Sequence, residues 1–91
     1  MGAGKKIAVI VRERQAEALR MGVGLSILNN VDIYIFDRKL EASDGISLNL
    51  EMIKEMRLGL YTNTALNEGI EYIPTEDIAK RLLEYDNILP Y

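Results

Sequence analysis

Apolar and polar residues follow one another along this chain in blocks that predict strands and helices in turn. The first block, Ile7–Val11, is a continuous apolar run rich in β-branched residues, which is typical of a strand covered on both faces. A second such strand is predicted over Val31–Phe36. Between the two strands, apolar residues at helical spacing predict a helix over residues 15–28. The order strand, helix, strand favours a right-handed parallel unit.

Two more helices are predicted by the same spacing, one over Leu48–Arg57 and one that follows Pro74, with Thr75 as its N-cap. Gly22 and Gly24 in the first helix indicate close approach of that helix to the sheet. The inward faces are predicted to consist, in chain order, of Ala16, Leu19, Met21, Val23, Leu25, Ile27 and Leu28, then Leu48, Met52, Ile53 and Met56, then Ile78, Ala79, Leu82 and Leu83.

The loops between these elements carry turn and stop signals. Residues 37–47 form a polar loop with a turn at Asp44-Gly45, and Gly59 is predicted to end the second helix. Short strands are predicted over Leu60–Thr62 and Ile70–Ile73. The seven residues between them are few for a parallel crossover, so the link is either one helical turn or the two strands are not parallel neighbours.

A last strand is predicted over Asn87–Leu89, and Pro90 restricts it to an edge of the sheet. The elements together predict a single domain over residues 1–91 with a flexible lead over residues 1–4. The fold class is α/β: a three-layer α/β/α sandwich of flavodoxin-like appearance, with a mostly parallel sheet of four or five strands.

The amino-acid composition excludes or disfavours several kinds of function. The 91 residues include no cysteine and no histidine, which excludes thiol, persulfide and imidazole catalysis and makes zinc improbable. Fourteen acidic residues against eleven basic ones disfavour nucleic-acid binding. No apolar run has the length of a membrane span, and no secretory signal pattern is present, so a cytoplasmic location is expected.

Cofactor and metal patterns are also missing. The segment VRERQAE after the first strand lacks the glycines of a dinucleotide-binding turn. Asp37, Glu41 and Asp44 share one loop, but their spacing matches no calcium loop. We therefore expect neither a metal ion nor a cofactor. Paired carboxylates at a recognisable catalytic spacing are also absent, which weakens the case for an acid–base enzyme.

One group of side chains has a geometry suited to binding. The carboxyl ends of parallel strands meet at one edge of the sheet, where open α/β folds bind ligands. A small-anion or nucleotide-like site is predicted there, built from Arg12, Arg14, Arg38, Lys39, Thr62, Asn63 and Thr64. The alternative, which the close interleaving of acids favours, is that these cations are solvated or pair with Glu13, Glu17, Asp37 and Glu41.

The chain as a whole resembles the DsrE/DsrF/DsrH-like family of small sulfur-relay proteins. The similar segments are KKIAVIV, the helix EALRMGVGLSIL, the strand VDIYIF and the ending GIEYIPTEDIAKRLLEYDNILPY. The resemblance implies a parallel α/β/α sandwich and assembly into homo- or hetero-oligomers. It also implies a cysteine just after the third strand that carries sulfur as a persulfide, and here Thr62 occupies the nearest position.

A threonine hydroxyl cannot carry sulfane sulfur, because that chemistry needs a thiolate nucleophile. The leading hypothesis from the sequence is therefore a non-catalytic DsrE-like protein. It would act by self-association or as the partner subunit of a cysteine-bearing relative in a sulfur-relay type of complex. The rival hypothesis is a ligand-binding protein that uses the carboxyl edge of the sheet.

Overall fold

The computed structural model describes residues 4–91, which form five strands and three helices. The flexible lead predicted over residues 1–4 lies, apart from Gly4, outside the described residues. The strands are β1 (Lys6–Val11), β2 (Asn30–Ile35), β3 (Gly59–Thr62), β4 (Glu71–Tyr72) and β5 (Asn87–Pro90), and the helices are α1 (Gln15–Leu25), α2 (Asp44–Glu55) and α3 (Thr75–Leu82). No helix in this described part of the chain is long and apolar enough to cross a membrane.

The strands form one sheet in the order β4-β3-β2-β1-β5, and every pairing is parallel. The fold class predicted from the sequence is confirmed, with five strands. β3 and β4 are parallel neighbours despite the short connection over residues 63–70, which settles the alternative left open above. β5 lies at an edge, as Pro90 requires, and pairs with β1 through Ile10 and Pro90 at its carboxyl end.

Each face of the sheet has its own apolar core. On one face Val9, Ile33 and Ile35 pack with the buried side chains of α1 and α2. On the opposite face Tyr34 and Phe36 pack with Ile78 of α3. Alternate residues of one strand therefore serve the two cores, because successive side chains of a strand point to opposite faces. Two helices cover one face and a single short helix covers the other.

The predicted bounds and inward face of α1 need correction. The helix ends at Leu25, and the Asn29 side chain donates to the Leu25 carbonyl at 3.0 Å. The buried positions are Gln15, Ala18, Leu19 and Gly22, whereas Ala16, Met21, Ile27 and Leu28 are exposed. Close approach to the sheet is found at Gly22 alone, where an added Cβ would lie 2.9 Å from Ile33 Cδ1, while Gly24 has open space around it.

The second helix differs most from its prediction. Asp44 and Gly45 are its first residues rather than a turn, because the Ser43 hydroxyl caps the helix by accepting from the Ile46 N–H. Ile46 and Ile53 face the core, and the predicted inward residues Leu48, Met52 and Met56 are exposed. The helix closes at Arg57, which adopts a φ of 59°, so Gly59 is free to begin β3.

The third helix begins at Thr75, with Pro74 rather than Thr75 at the N-cap position. Thr75 Oγ1 instead accepts a hydrogen bond from the Asn63 side chain at 2.9 Å. Ile78 is buried and Leu82 is partly buried, but Ala79 and Leu83 point to solvent. One buried position per turn is enough here, since α3 covers only part of its face.

Candidate functional site

The carboxyl edge of the sheet contains an open cleft between the ends of β1 and β5. From β1 the chain proceeds through β2, β3 and β4 in one direction, then returns by α3 to place β5 on the other side of β1. The ends of β1 and β5 therefore lie side by side at the carboxyl edge of the sheet, which is the edge where open α/β sheets bind ligands. The cleft measures about 720 Å³ and is lined by Ile10, Arg12, Glu13, Arg14, Phe36, Leu82, Pro90 and Tyr91.

Backbone hydrogen bonds fix the two walls of this cleft to each other. Pro90 has no N–H to donate, and the N–H of Tyr91 bonds to the Ile10 carbonyl at 2.8 Å instead. The N–H of Arg14 then donates to the Tyr91 carbonyl at 3.0 Å. The segment that carries the arginines is thus joined to the end of β5.

The buried side chain of Gln15 holds the segment that carries Arg12 and Arg14 in place. Its side chain is buried, donates to the carbonyls of Arg12 and Lys39, and accepts from the Glu41 N–H at 2.9 Å. A single amide therefore fixes the turn after β1 against the loop after β2. Sequence reasoning missed this role, because a glutamine at a helix start gives no periodic or motif signal.

Both cleft arginines rest on aromatic rings. The guanidinium carbon of Arg12 lies 5.5 Å from the centre of the Phe36 ring, and that of Arg14 lies 5.4 Å from the centre of the Tyr91 ring. Such cation–π contacts restrict the motion of long side chains at modest energy. The arginines are therefore held at the cleft while their N–H groups remain accessible.

The acids near these arginines lie at ion-pair rather than hydrogen-bond distance. Arg12 is 3.9 Å from Asp37 and Arg14 is 3.8 Å from Glu17, measured between nitrogen and oxygen. Hydrogen bonds between these groups are closer to about 2.8 Å. More than half of each arginine side chain is exposed. The acids therefore reduce the local positive potential without occupying the arginine donors.

Only two of the seven predicted site residues line the cleft, Arg12 and Arg14. Arg38 lies outside it, 3.9 Å from the Glu13 carboxylate, and Lys39 lines a smaller pocket beside the loop after β3. Asn63 bonds to both the backbone N–H and the carboxylate of Asp37, which adopts a φ of 65°. The Thr64 hydroxyl accepts from the Leu66 N–H within the same loop.

Thr62, the position nearest to the family cysteine, is fully buried. Its hydroxyl donates to the Ile35 carbonyl at 2.9 Å and accepts from the Asn67 side-chain amide at 3.0 Å. Asn67 is itself buried and also bonds to the backbone of Arg38 and Leu40. Thr62 and Asn67 together hold the loops after β2 and β3, so the structure gives Thr62 a packing role and no access to solvent.

A second polar cluster lies under the end of α3, near the amino edge of the sheet. Tyr85 donates its hydroxyl hydrogen to the Asp32 carboxylate at 2.5 Å, and the Tyr34 hydroxyl lies 2.7 Å from the Tyr85 oxygen. Because Tyr85 gives its hydrogen to Asp32, Tyr34 is the donor of the second bond. Burial raises the pKa of Tyr85, and its hydrogen bond to Asp32 raises it further. The cluster joins the segment after α3 to the sheet.

Within residues 4–91, no three acidic side chains gather closely enough to hold a metal ion. The residues that sequence reasoning missed at the cleft are Ile10, Glu13, Phe36, Leu82, Pro90 and Tyr91. Leu82 and Tyr91 belong to parts of the chain far from Arg12, and only the pairing of β5 with β1 brings them to one place. These residues could have been predicted only from the strand order, which places β5 beside β1.

Comparison with known proteins yields one similarity of fold. No family model matches the chain, and no curated protein matches its sequence at a significant level. Among solved structures, the chain is similar to the ychN protein from E. coli, with a TM-score of 0.73 over 96% of this chain and 99% of that one. The two sequences are 14% identical. At that identity the similarity shows that the two proteins share a fold.

Proposed function

We propose that this chain is a binding protein that holds a small anionic molecule in the cleft between β1 and β5. The observation that carries this proposal is the position of two exposed arginines, Arg12 and Arg14, in one cleft at the carboxyl edge of the sheet. A cleft of this size falls in the range of small-molecule sites, and its guanidinium groups are suited to carboxylates, sulfonates or phosphates.

The first turn of α1 also favours the binding of an anion near the arginines. This helix begins at Gln15, immediately after Arg14, and no side chain of the described chain caps its first turn. The first N–H groups of a helix carry partial positive charge and point along its axis, so they favour an anion in front of them. The helix start thus adds a favourable potential beside Arg14, while the guanidinium groups supply the donors in the cleft lining.

Arg12→Ala and Arg14→Ala variants test the proposal against an Arg20→Ala control, since Arg20 is exposed on α1 and lies outside the cleft lining. Thermal stability is followed during titration with phosphate, sulfate, sulfite, acetate, a nucleoside monophosphate and one aromatic carboxylate. A ligand that binds the folded state raises the midpoint. We expect at least one of these anions to do so in the wild type and in Arg20→Ala, with most of the shift lost in the cleft variants. A flat response to every anion, or equal shifts in all variants, contradicts the proposal.

A second candidate function rests on the resemblance to the DsrE/DsrF/DsrH-like family. We infer a cytoplasmic DsrE-like protein that lacks the sulfur-carrying cysteine and associates with itself or with a cysteine-bearing relative. The five-stranded parallel α/β architecture supports this inference, because the resemblance implied that fold. Thr62 rules out persulfide chemistry at the position nearest to the family cysteine, so assembly is the role that remains.

One surface favours this second candidate. Leu48, Met52 and Met56 recur every four residues along α2 and are exposed, which places them in one stripe on the outer face of the helix. Glu51 and Glu55 lie beside the stripe. An exposed apolar stripe with a charged border is a common feature of protein contact surfaces.

A further inference from the structure

The floor of the cleft differs chemically from its rim. The arginines and Glu13 enter from the segment after β1, whereas Leu82, Pro90 and the Phe36 ring form an apolar floor on the side of β5 and α3. Phe36 is 9% exposed, so the core and Arg12 cover most of its ring and only a small part of it contributes to the lining. A hydrated inorganic ion would contact the arginines and gain nothing from this floor.

The charges around the cleft limit how much negative charge it can hold. Arg12 and Arg14 contribute two positive charges, and Arg38 lies one step further out beside Glu13. Against these stand Glu13 in the lining and the neighbouring acids Asp37 and Glu17. Among these six side chains the positive and negative charges are equal in number. The accessible guanidinium N–H groups can bond to one anionic group, and the nearby carboxylates repel any further negative charge.

We propose that the ligand is an organic monoanion with an aromatic body, such as an aromatic carboxylate or sulfonate. This inference rests on the proposed anion-binding function and specifies its ligand. The anionic group bonds to the guanidinium groups of Arg12 and Arg14, and the aromatic body lies on Leu82 and Pro90. The ligand then contacts both the arginines and the apolar side of the cleft. Its affinity comes from charge-assisted hydrogen bonds to the arginines and from the apolar area that binding removes from water.

Four ligands, three of them with the same naphthalene body, separate the contributions of charge and body. They are 2-naphthoate (one charge, aromatic), acetate (one charge, no body), 2-naphthol (no charge, aromatic) and 2-naphthyl phosphate (nearly two charges at neutral pH). We expect 2-naphthoate to bind at least about tenfold more tightly than acetate, from the apolar area that the rings bury. It should also bind more tightly than the naphthol, which lacks the charge, and than the phosphate, which brings a second one. Binding is measured by calorimetry and by the shift in thermal midpoint.

Two leucines at the end of α3 provide a matched pair of variants. Leu82 lines the cleft, while its neighbour Leu83 is 86% exposed and lies outside the lining. Leu82→Ala should weaken 2-naphthoate about fivefold to tenfold and leave acetate unchanged, whereas Leu83→Ala should change neither. If Leu82→Ala does not fold, Leu82→Gln replaces it, because it keeps the side-chain length while making the floor polar.

The outcomes distinguish the two proposals. If these four ligands and all anions of the first titration fail to bind, or if binding is indifferent to Arg12→Ala, the anion-binding function itself fails. If only the inorganic anions or the nucleoside monophosphate of the first titration bind, the anion site stands and the aromatic monoanion is overturned. If acetate or the naphthyl phosphate binds as tightly as 2-naphthoate, the anion site stands and the aromatic monoanion is overturned. The aromatic monoanion is overturned in the same way if 2-naphthol binds as tightly as 2-naphthoate, or if Leu82→Ala and Leu83→Ala behave alike.

Discussion

Tyr85 places its hydroxyl between two groups of β2, the Asp32 carboxylate and the Tyr34 hydroxyl. Asp32 is the one charged residue of β2, and it lies on the same face as Tyr34. A half-buried carboxylate needs a donor, and Tyr85 supplies it from a segment more than fifty residues away. The cluster is therefore a tertiary contact that fixes the end of α3.

Replacing Tyr85 by Phe removes this donor and leaves the acceptor atoms of Asp32 and the hydroxyl of Tyr34 without their partner. We expect the free energy of unfolding to fall by about 1–3 kcal/mol. Tyr72→Phe is the control, because Tyr72 is 55% exposed and should change stability by less than about 0.5 kcal/mol. Chemical denaturation measures both, and equal effects would show that the cluster contributes nothing.

The difference in stability between the wild type and Tyr85→Phe should also depend on pH. Burial, followed by the bond to Asp32, raises the pKa of Tyr85 in the folded state above that of an unfolded tyrosine. The phenol then contributes fully to stability below a pH of about 10, and the contribution declines as the pH rises further, because the unfolded chain loses the proton first. The stability difference between wild type and Tyr85→Phe should therefore shrink above a pH of about 10. A difference that stays constant with pH contradicts this assignment.

Thr62 illustrates how burial decides what a residue can do. The side chain is completely shielded and its hydroxyl bonds to Ile35 and Asn67. In a Thr62→Cys variant the new thiol should react with a soluble thiol reagent on the order of 100-fold more slowly than the thiol of Ala65→Cys, since the loop must open first. Ala65 is exposed in the same loop. Similar reaction rates in two cooperatively folded variants would show that position 62 is accessible.

At the level of elements, two apolar patterns compete along α2. Ile46, Leu50 and Ile53 recur at one helical spacing, and Leu48, Met52 and Met56 recur at another. The sequence alone could not decide between them, because either set forms a stripe on a helix. The Ser43 cap extends the helix to Asp44 and brings Ile46 to the core, and the second set then faces outward.

The two glycines of α1 provide a test of helix packing. Gly24→Ala should raise the free energy of unfolding by up to about 1 kcal/mol, because alanine favours the helix and open space surrounds this position. Gly22→Ala should gain less or lose stability, since its Cβ would lie 2.9 Å from the Cδ1 atom of the fully buried Ile33. Thermal or chemical denaturation compares them. An equal gain at both positions would show that α1 does not approach the sheet at Gly22.

At the level of the whole molecule, the return of the chain from β4 to β5 has the largest consequence. It places Pro90 and Tyr91 beside the carboxyl end of β1 and creates the cleft that contains Arg12 and Arg14. The helices α1 and α2 lie together on one face because they connect strands that follow one another in the same direction across the sheet, and the apolar stripe of α2 faces outward. Both candidate functions thus depend on the topology of the complete sheet.

The solution mass of the protein tests the second candidate function. If the α2 stripe mediates self-association, light scattering of the wild type should give a multiple of the 10.3 kDa chain mass. Met52→Glu should shift the protein to the monomer, because a buried unpaired charge opposes association. Ser47→Glu adds the same charge to an exposed position of the same helix and should have no effect. A wild type that remains monomeric at high concentration excludes self-association through this stripe.

The sequence by itself determined the fold class, the chain order of strands and helices and the exclusion of thiol and imidazole chemistry. These follow from local patterns: β-branched runs, helical spacing and residue types. It also placed Arg12 and Arg14 at the carboxyl edge of the sheet, because the residues that follow a parallel strand lie at that edge. The position of β5 at an edge followed from the missing N–H of Pro90.

Only the tertiary structure decided which cations share a cleft and which polar groups serve the loops. Arg38, Asn63 and Thr62 follow strands just as Arg12 does, and local patterns cannot distinguish them. The strand order separates them, because it places β5 beside β1 and the short β4 beside β3. Arg12 then faces the apolar floor of the cleft, whereas the polar groups after β3 are occupied in holding two loops together. The distinction depends on contacts between distant parts of the chain.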